Sequence, residues 1–267
     1  QKVTRGKYDI VRMLKVDTAN NCAYFIASPK NATERYLYRI ALDGKGLKRL
    51  SPDKQRGSHS YSISPDAKWA VHTFSNIQSP PVTQLIKLPT HETVRVLENN
   101  TALRAKVKTL AQPKREFFKI NIGDGVEVDA YAVLPPKLDR TKKYPLFIYV
   151  YGEPAGQTTV NRWSGPGGMW HWLLAQQGYV VVSIDNRGTT SPRGNAWRKS
   201  IYRQVGILAS KDQAAAVRQM LKDRPYLDAK RVGVWGWSGG GSMTLNAMFR
   251  YPDLYHAGIS IAPVPDQ

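Results

Sequence analysis

Two different rhythms of secondary-structure signals divide this chain into a strand-rich first part and a second part in which strands and helices alternate. In the first hundred residues, short apolar and aromatic runs are separated by polar turns, as at residues 22–27 and 36–42. The same order recurs over residues 69–88, and the shift from Tyr24 to Ala70 is 46 residues. A repeat of this length that holds several short strands is typical of β-propeller blades.

The repeat predicts an incomplete propeller. Residues 62–70 read Ser-Ile-Ser-Pro-Asp-Ala-Lys-Trp-Ala, which resembles a phrase common in propeller blades. A propeller closes with ~4–8 blades, so we expect further blades upstream of Gln1. We therefore assign residues 1–110 to the C-terminal part of a β-propeller and interpret the helix-compatible stretch at 102–111 as a linker.

The second part, residues 111–267, predicts a mostly parallel sheet with helices on both faces, because strand and helix signals alternate along it. A hairpin at residues 117–134 comes first, and Ser210-Lys-Asp-Gln213 has the capping-box spacing of a helix start. The predicted strands are 145–150, 179–184, 231–235 and 257–262, and the predicted helices are 170–177, 210–220 and 242–250.

Composition excludes several classes of protein. Hydrophobic residues make up 42% of the chain, which excludes intrinsic disorder. The single cysteine, Cys22, excludes a disulfide framework and a cysteine-cluster metal site. The net charge of +19 raises the possibility of a nucleic-acid partner. However, the basic residues are scattered, without runs longer than two and without a known nucleic-acid-binding signature, so we expect no nucleic-acid partner.

The sequence Gly236-Trp-Ser-Gly-Gly240 stands between a predicted strand and a predicted helix, the context that makes a G-x-S-x-G nucleophile elbow specific. Side chains at the flanking glycines would collide with the neighbouring strand or helix. The turn then exposes the Ser238 hydroxyl, and the N–H of Gly239 can donate to an oxyanion. A phosphate-binding loop is the alternative, but the Walker lysine and the G-x-G-x-x-G pattern are both absent.

Four blocks together resemble the prolyl oligopeptidase family, and most closely its dipeptidyl peptidase IV branch. They are residues 143–154, 185–188, 235–240 and 261–264, in the family's order. The resemblance covers nearly the whole chain. It implies an α/β-hydrolase domain preceded by propeller blades. It also implies a serine exopeptidase that removes N-terminal dipeptides with Pro or Ala at the penultimate position, and that needs no cofactor.

The resemblance also assigns roles to individual residues. Ser238 matches the nucleophile, and Tyr151 matches the tyrosine whose hydroxyl completes the oxyanion hole together with the N–H of Gly239. Val264 matches an apolar residue that lines the pocket for the penultimate side chain. Trp237 matches a tryptophan beside the nucleophile, which would either contact substrate or, as we expect, pack against the protein.

Three departures from the family pattern weaken the expectation of a strict proline preference. Position 239 is Gly where the animal enzymes carry a tyrosine, so one wall of the proline pocket would be open or built differently. Glu153 replaces a glycine of the oxyanion loop and is either a ligand for a substrate ammonium group or an exposed loop carboxylate. Gln267 falls where many members have a tryptophan that contacts substrate.

The other members of a catalytic triad are not recognisable in the chain. In α/β hydrolases an Asp and then a His follow the serine, and the only candidates here are Asp253, Asp266 and His256. Asp253 and His256 immediately follow the nucleophile helix and cannot fold back to form a triad. We therefore expect the triad Asp and His beyond Gln267 and the ammonium-binding glutamates upstream of the chain, so that this chain alone is inactive.

Several alternatives stay open at this point. One is another hydrolase of the same superfamily, such as an acylaminoacyl peptidase, an oligopeptidase or an esterase. Another is a non-catalytic interaction protein that kept the fold. The expected partners are peptides with a free N-terminus and a second copy in a homodimer, with a periplasmic or cell-surface location favoured. The remaining histidines show no metal-ligand spacing, and we expect core or surface roles for them: His59, His72, His91 and His171.

Overall fold

The computed structural model describes residues 3–265, and the chain divides into two compact units. The first unit comprises residues 1–110, 160–165 and 192–195. The second comprises residues 111–159, 166–191 and 196–267. Each unit has its own sheets and its own hydrophobic core.

The first unit contains two four-stranded antiparallel sheets whose strands are adjacent in chain order. This arrangement confirms the predicted pair of blades. The first sheet holds β1 (Ile10–Asp17), β2 (Cys22–Ala27), β3 (Tyr36–Ala41) and β4 (Lys48–Arg49). The second holds β5 (Ser58–Ile63), β6 (Trp69–Asn76), β7 (Ser79–Lys87) and β8 (Thr93–Glu98), and is followed by α1 (Thr101–Lys108).

Strand β2 is buried along its full length because its two faces pack into two different clusters. Successive side chains of a strand point to opposite faces of the sheet. Tyr24 and Ile26 join a cluster with Ile86 of the second sheet, whereas Phe25 packs in a separate cluster with Ile40. An uninterrupted apolar and aromatic run therefore suits this position.

The second half of the chain builds a six-stranded sheet of order β14-β13-β11-β12-β10-β9. Strands β14, β13, β11 and β12 are parallel, and β10 and β9 form an antiparallel hairpin at one edge. This sheet and the two blades confirm the predicted fold class, a partial α/β hydrolase preceded by propeller blades. The strands are β9 (Lys114–Asn121), β10 (Glu127–Leu134), β11 (Tyr144–Tyr149), β12 (Val180–Asp185), β13 (Leu227–Trp237) and β14 (Ala257–Ile261); the helices are α2 (Gly165–Gln176), α3 (Asn195–Lys199), α4 (Ile207–Asp223) and α5 (Gly239–Arg250).

The predicted start of α4 is wrong. The helix begins at Ile207, after Gly206, so Ser210 lies inside it and does not cap it. The Ser210 side chain is buried and its hydroxyl donates to the Gly206 carbonyl oxygen at 2.6 Å, four residues back. A buried serine in a helix satisfies its hydroxyl in this way, and the capping-box spacing alone does not distinguish the two environments.

Candidate active site

Ser238 occupies a sharp turn between the last residue of β13, Trp237, and the first residue of α5, Gly239. Its backbone angles are φ 56° and ψ −121°, which a residue with a side chain seldom adopts. The residue is exposed, as the elbow motif predicts. The turn therefore holds the serine in a strained conformation and presents it to solvent.

The glycines that flank the elbow are needed because other backbone lies against them. An ideal Cβ on Gly236 would lie 2.5 Å from the Val150 carbonyl oxygen and even closer to the Gly240 carbonyl group. An ideal Cβ on Gly240 would meet the same Val150 carbonyl and would lie 3.3 Å from the Tyr151 Cα. These backbone groups cannot swing aside as a flexible side chain can. The predicted collision with the neighbouring strand and helix is thereby confirmed.

Hydrogen bonds tie the elbow to the segment that follows β14. The Ser238 N–H donates to the Ile261 carbonyl oxygen at 2.9 Å, and the Ser242 N–H donates to the Ser238 carbonyl oxygen at 3.0 Å. The Ser242 hydroxyl donates to the Val264 carbonyl oxygen at 2.9 Å and accepts from the Val264 N–H at 3.0 Å. The structure thus brings the backbone of Val264 to the first turn of the nucleophile helix and leaves its side chain half exposed, at 49%.

Gly239 begins helix α5, so its N–H belongs to the first turn, whose N–H groups have no acceptor within the helix. The same end of the helix carries a partial positive charge. Both properties favour a negative charge close to Ser238. The position is therefore suited to hold an oxyanion, the role that the resemblance implies for this N–H.

Tyr151 lies on the loop after β11, with its Cα against the elbow residue Gly240. Its ring covers Gly156, where an ideal Cβ would lie 2.7 Å from the Tyr151 Cε1. The Asn186 side-chain amide donates to the Gly152 carbonyl oxygen at 2.9 Å and so supports the residue next to the tyrosine. The loop that carries Tyr151 is consequently held next to the nucleophile elbow.

Sequence reasoning missed the buried polar residues that support this loop. The Asp185 carboxylate accepts hydrogen bonds from the N–H groups of Thr158 and Thr159, at 3.0 and 3.2 Å. Burial raises the pKa of the Asp185 carboxyl to about 6, partly offset by these hydrogen bonds. The Gln213 amide donates to the Asn186 side-chain oxygen at 3.0 Å. The available signal was the pair Asp185-Asn186 at the carboxyl end of a strand, the edge where α/β sheets place their sites.

Arg187 braces the segment that follows β12. Its guanidinium donates two hydrogen bonds to the Asp212 carboxylate, at 3.0 and 2.7 Å. Its backbone N–H donates to the same carboxylate at 3.1 Å. These three bonds tie the segment after β12 to helix α4, so Arg187 is structural.

Trp237 differs from expectation. Its side chain is 61% exposed at the end of β13, so it does not pack against the described residues as we expected. Because the side chain stands immediately before Ser238 and faces solvent, the alternative role in contacting substrate stays a prediction.

Asp253 and His256 lie away from Ser238, as predicted. The Asp253 carboxylate accepts a hydrogen bond from the Arg218 guanidinium at 2.9 Å. The His256 N–H donates to the Val232 carbonyl oxygen at 2.8 Å, just before β14 begins, whereas the elbow stands at the other end of that strand. Neither side chain can serve as a triad partner. Asp266 and Gln267 lie outside the described residues.

The other histidines are packed within their units. His59, His72 and His91 form a histidine cluster with Tyr61, in which the His59 Nδ1 lies 2.9 Å from the His72 Nε2 and the Tyr61 hydroxyl lies 2.8 Å from the His91 Nε2. Burial lowers the pKa of His59 to about 4 and that of His72 to about 3. His171 is buried, and its pKa is lowered to about 4 for the same reason. Within residues 3–265, we find no grouping of three or more His, Cys, Asp or Glu that could hold a metal ion.

An exposed, strained serine at a strand-to-helix turn of a mostly parallel sheet defines the α/β-hydrolase class, here in a chain that also contains propeller blades. The model of the prolyl oligopeptidase family matches residues 170–267, and the model of the dipeptidyl peptidase IV N-terminal region matches residues 1–81. The chain belongs to the prolyl oligopeptidase family, in its dipeptidyl peptidase IV branch.

Individual relatives agree with this assignment. The chain is 29% identical to the dipeptidyl peptidase 4 of Trichophyton equinum and to that of Arthroderma otae, over 99% of its own length and 34% of theirs. The crystal structure of Porphyromonas gingivalis dipeptidyl peptidase 4 matches with a TM-score of 0.92 and 33% identity, over 100% of this chain and 37% of that one. The chain thus spans about a third of the length of the curated relatives it matches. Among the helices of residues 3–265, none is long and apolar enough to cross a membrane.

Proposed function

We propose that the chain is part of a serine peptidase that releases dipeptides, Xaa-Pro or Xaa-Ala, from the N-terminus of peptides. The observation that carries the proposal is the elbow itself, in which Ser238 is exposed at φ 56° before the N-terminus of α5. A strained conformation is retained only where the surrounding structure enforces it. Here the backbone at Val150, at Gly240 and at Ile261 lies against the turn or hydrogen-bonds to it.

In the proposed mechanism, the Ser238 Oγ attacks the carbonyl carbon of the scissile bond and its proton passes to a histidine outside this chain, which an aspartate orients. The carbonyl oxygen becomes an oxyanion and accepts hydrogen bonds from the Gly239 N–H and the Tyr151 hydroxyl. As this intermediate collapses, the histidine gives its proton to the leaving amine, the shortened peptide departs, and the dipeptide remains as an ester on Ser238. Water then attacks the ester and regenerates the serine.

The proposal assigns residues 1–110 to the end of a propeller and residues 111–267 to the first part of the catalytic domain. Val264 and Trp237 are the proposed substrate contacts, since both have exposed side chains at the segments that flank the nucleophile. The proposed substrates are peptides with a free N-terminus. A homodimer is the proposed assembly, which the molecular mass measured by light scattering would test.

The intact protein, meaning the complete polypeptide that carries this chain, tests the proposed function directly. A neutral fluorophosphonate probe is expected to label the wild type and not Ser238→Ala. Dipeptide amides Gly-Pro and Gly-Ala are expected to be cleaved, and their N-acetylated forms are not. Absence of labelling would favour a non-catalytic protein, whereas cleavage of acetylated substrates alone would favour an acylaminoacyl peptidase.

A further inference from the structure

The carboxylate of Glu153 lies directly against Gly239, the residue after the nucleophile. An ideal Cβ built on Gly239 would lie 2.6 Å from the Glu153 Cδ and 3.2 Å from its Cγ, and still closer to Oε2. Real Cβ atoms essentially never approach another atom closer than 3.0 Å. The Glu153 side chain therefore occupies the place that a side chain at position 239 would take.

The loop geometry explains how Glu153 reaches the elbow. The Gly156 N–H donates to the Glu153 carbonyl oxygen at 3.3 Å, which closes a tight turn after Tyr151. On the other side of Glu153, the Asn186 amide holds the Gly152 carbonyl oxygen. The backbone at Glu153 is thus supported from both directions, and its half-buried side chain extends toward the nucleophile helix.

A carboxylate at this place has an electrostatic consequence. Gly239 supplies the N–H that we propose for the oxyanion, so a negative charge packed on this residue opposes the negative charge that develops during attack. The partial positive charge at the N-terminus of α5 offsets part of this repulsion. A positive charge that arrives with the substrate would offset more, since two opposite charges within a few ångströms in a partly desolvated site attract strongly.

We propose that Glu153 is a specificity-determining residue that favours substrates with a positively charged side chain on the residue acylated onto Ser238. This inference rests on the proposed function and widens it, because a lysine would then be accepted at the penultimate position in addition to Pro and Ala. When the carbonyl carbon is bound to the Ser238 Oγ and its oxygen faces the Gly239 N–H, the side chain of that same residue starts only two bonds from the carbonyl carbon. It therefore begins close to Gly239, the residue that the Glu153 carboxylate covers. The Glu153 carboxylate thus forms an acidic side of the substrate site, at the place where a larger residue at position 239 would form a neutral one.

The test compares two substrates of similar length, the amides Gly-Lys and Gly-norleucine, on the intact protein. The ratio of their kcat/KM values is expected to exceed one in the wild type and to fall about tenfold in Glu153→Gln, which removes the charge and keeps the shape. Tenfold corresponds to about 1.4 kcal/mol. Glu153→Asp is expected to keep part of the preference, and added salt to reduce it in the wild type. Because the ratio is internal to each variant, a general loss of activity does not affect it.

Several outcomes would contradict the inference about Glu153 and leave the proposed function uncontradicted. One is a wild-type ratio at or below one while Ser238 is labelled and Gly-Pro is cleaved. A second is an equal loss on both substrates in Glu153→Gln. A third is a Glu153→Gln effect that depends on acetylation of the substrate N-terminus, which would mean that the carboxylate recognises the terminal ammonium. Failure of the wild type to bind the fluorophosphonate probe would instead contradict the proposed function itself.

Discussion

At the scale of single residues, Ser238 combines the chemistry of the site with a cost in stability. Its positive φ places the Cβ close to the backbone, a strain of about 1–3 kcal/mol for a residue with a side chain. Because Gly236 and Gly240 have no Cβ, the turn forms without the collisions that a side chain at either position would cause, but the strain at Ser238 itself remains. The cost is tolerated because the same geometry exposes the hydroxyl.

Ser238→Gly should therefore be more stable than Ser238→Ala, although neither variant has the proposed nucleophile. Glycine adopts the observed φ without steric cost, whereas alanine keeps the Cβ that causes the strain. We expect the free energy of unfolding of the glycine variant to be higher by about 1 kcal/mol, measured by chemical denaturation of the intact protein. An alanine variant that is equally or more stable would show that the turn is not strained.

Tyr151→Phe removes the proposed oxyanion donor and keeps the ring that covers Gly156. The loss of one such donor is expected to lower kcat by about 10²–10³-fold with little change in KM, because the hydrogen bond is made mainly in the transition state. Steady-state kinetics on a Gly-Pro amide measure both parameters. Tyr149→Phe, on the strand just before the loop, serves as the matched control. A reduction of less than threefold in Tyr151→Phe would exclude the hydroxyl from this role.

At the scale of elements, the loop after β11 keeps its shape because it is held from the end of β12. The Asp185 carboxylate accepts from two successive N–H groups of the loop, and Asn186 holds the Gly152 carbonyl oxygen. Strands β11 and β12 are parallel neighbours, so their carboxyl ends lie at the same edge of the sheet. The support for the loop that carries Tyr151 thus comes from the end of a strand and not from the loop itself.

Asp185→Ala leaves the Thr158 and Thr159 N–H groups without their acceptor, which is expected to cost about 2–4 kcal/mol of unfolding free energy. Asp185→Asn keeps one acceptor oxygen and should cost less. The folded pKa of about 6 lies above the ordinary value of 3.8, so the wild type loses stability as pH rises through 6 and the asparagine variant does not. Urea denaturation at pH 5 and pH 8 measures the difference. A relative stability of Asp185→Asn that falls between these pH values would contradict the prediction.

Some structural elements could be predicted from the sequence, whereas others depend on contacts that the sequence does not show. The blades and the elbow were predictable because their signals are local, a repeat of short strands and five consecutive residues from Gly236 to Gly240. The start of α4 was not, since burial of Ser210 decides between a cap and a helix interior. Likewise, the contact between Glu153 and Gly239 joins positions far apart in the chain, which only the pairing of strands brings together.

At the scale of the whole molecule, the histidine cluster makes the first unit sensitive to acid. The pKa values of His59, His72 and His91 are all lowered, and burial is the largest cause for each. The folded state therefore stays uncharged in this cluster at a pH where the unfolded chain already binds protons. The resulting loss of stability sets in as pH falls below about 6.5 and continues toward pH 4.

We expect the unfolding free energy of the intact protein to fall between pH 7.5 and pH 5, by about 2 kcal/mol for each histidine that stays neutral. His72→Phe retains an aromatic ring and should reduce this pH dependence. His256→Gln, at an exposed position outside the cluster, is the control for the loss of one histidine. Thermal or urea unfolding at both pH values gives the comparison. An identical pH dependence in His72→Phe and the wild type would show that the cluster does not control acid stability.

The hydrogen bond from the Ser238 N–H to the Ile261 carbonyl oxygen has a consequence for the order of synthesis. A ribosome releases the nucleophile and helix α5 before it releases β14, so a growing chain has its serine before it has the carbonyl that pins the turn. This hydrogen bond can form only after that later strand has paired with β13. A nascent polypeptide therefore contains Ser238 before it contains the acceptor of the Ser238 N–H, and the hydrogen bonding of the turn is completed only when β14 has been synthesised.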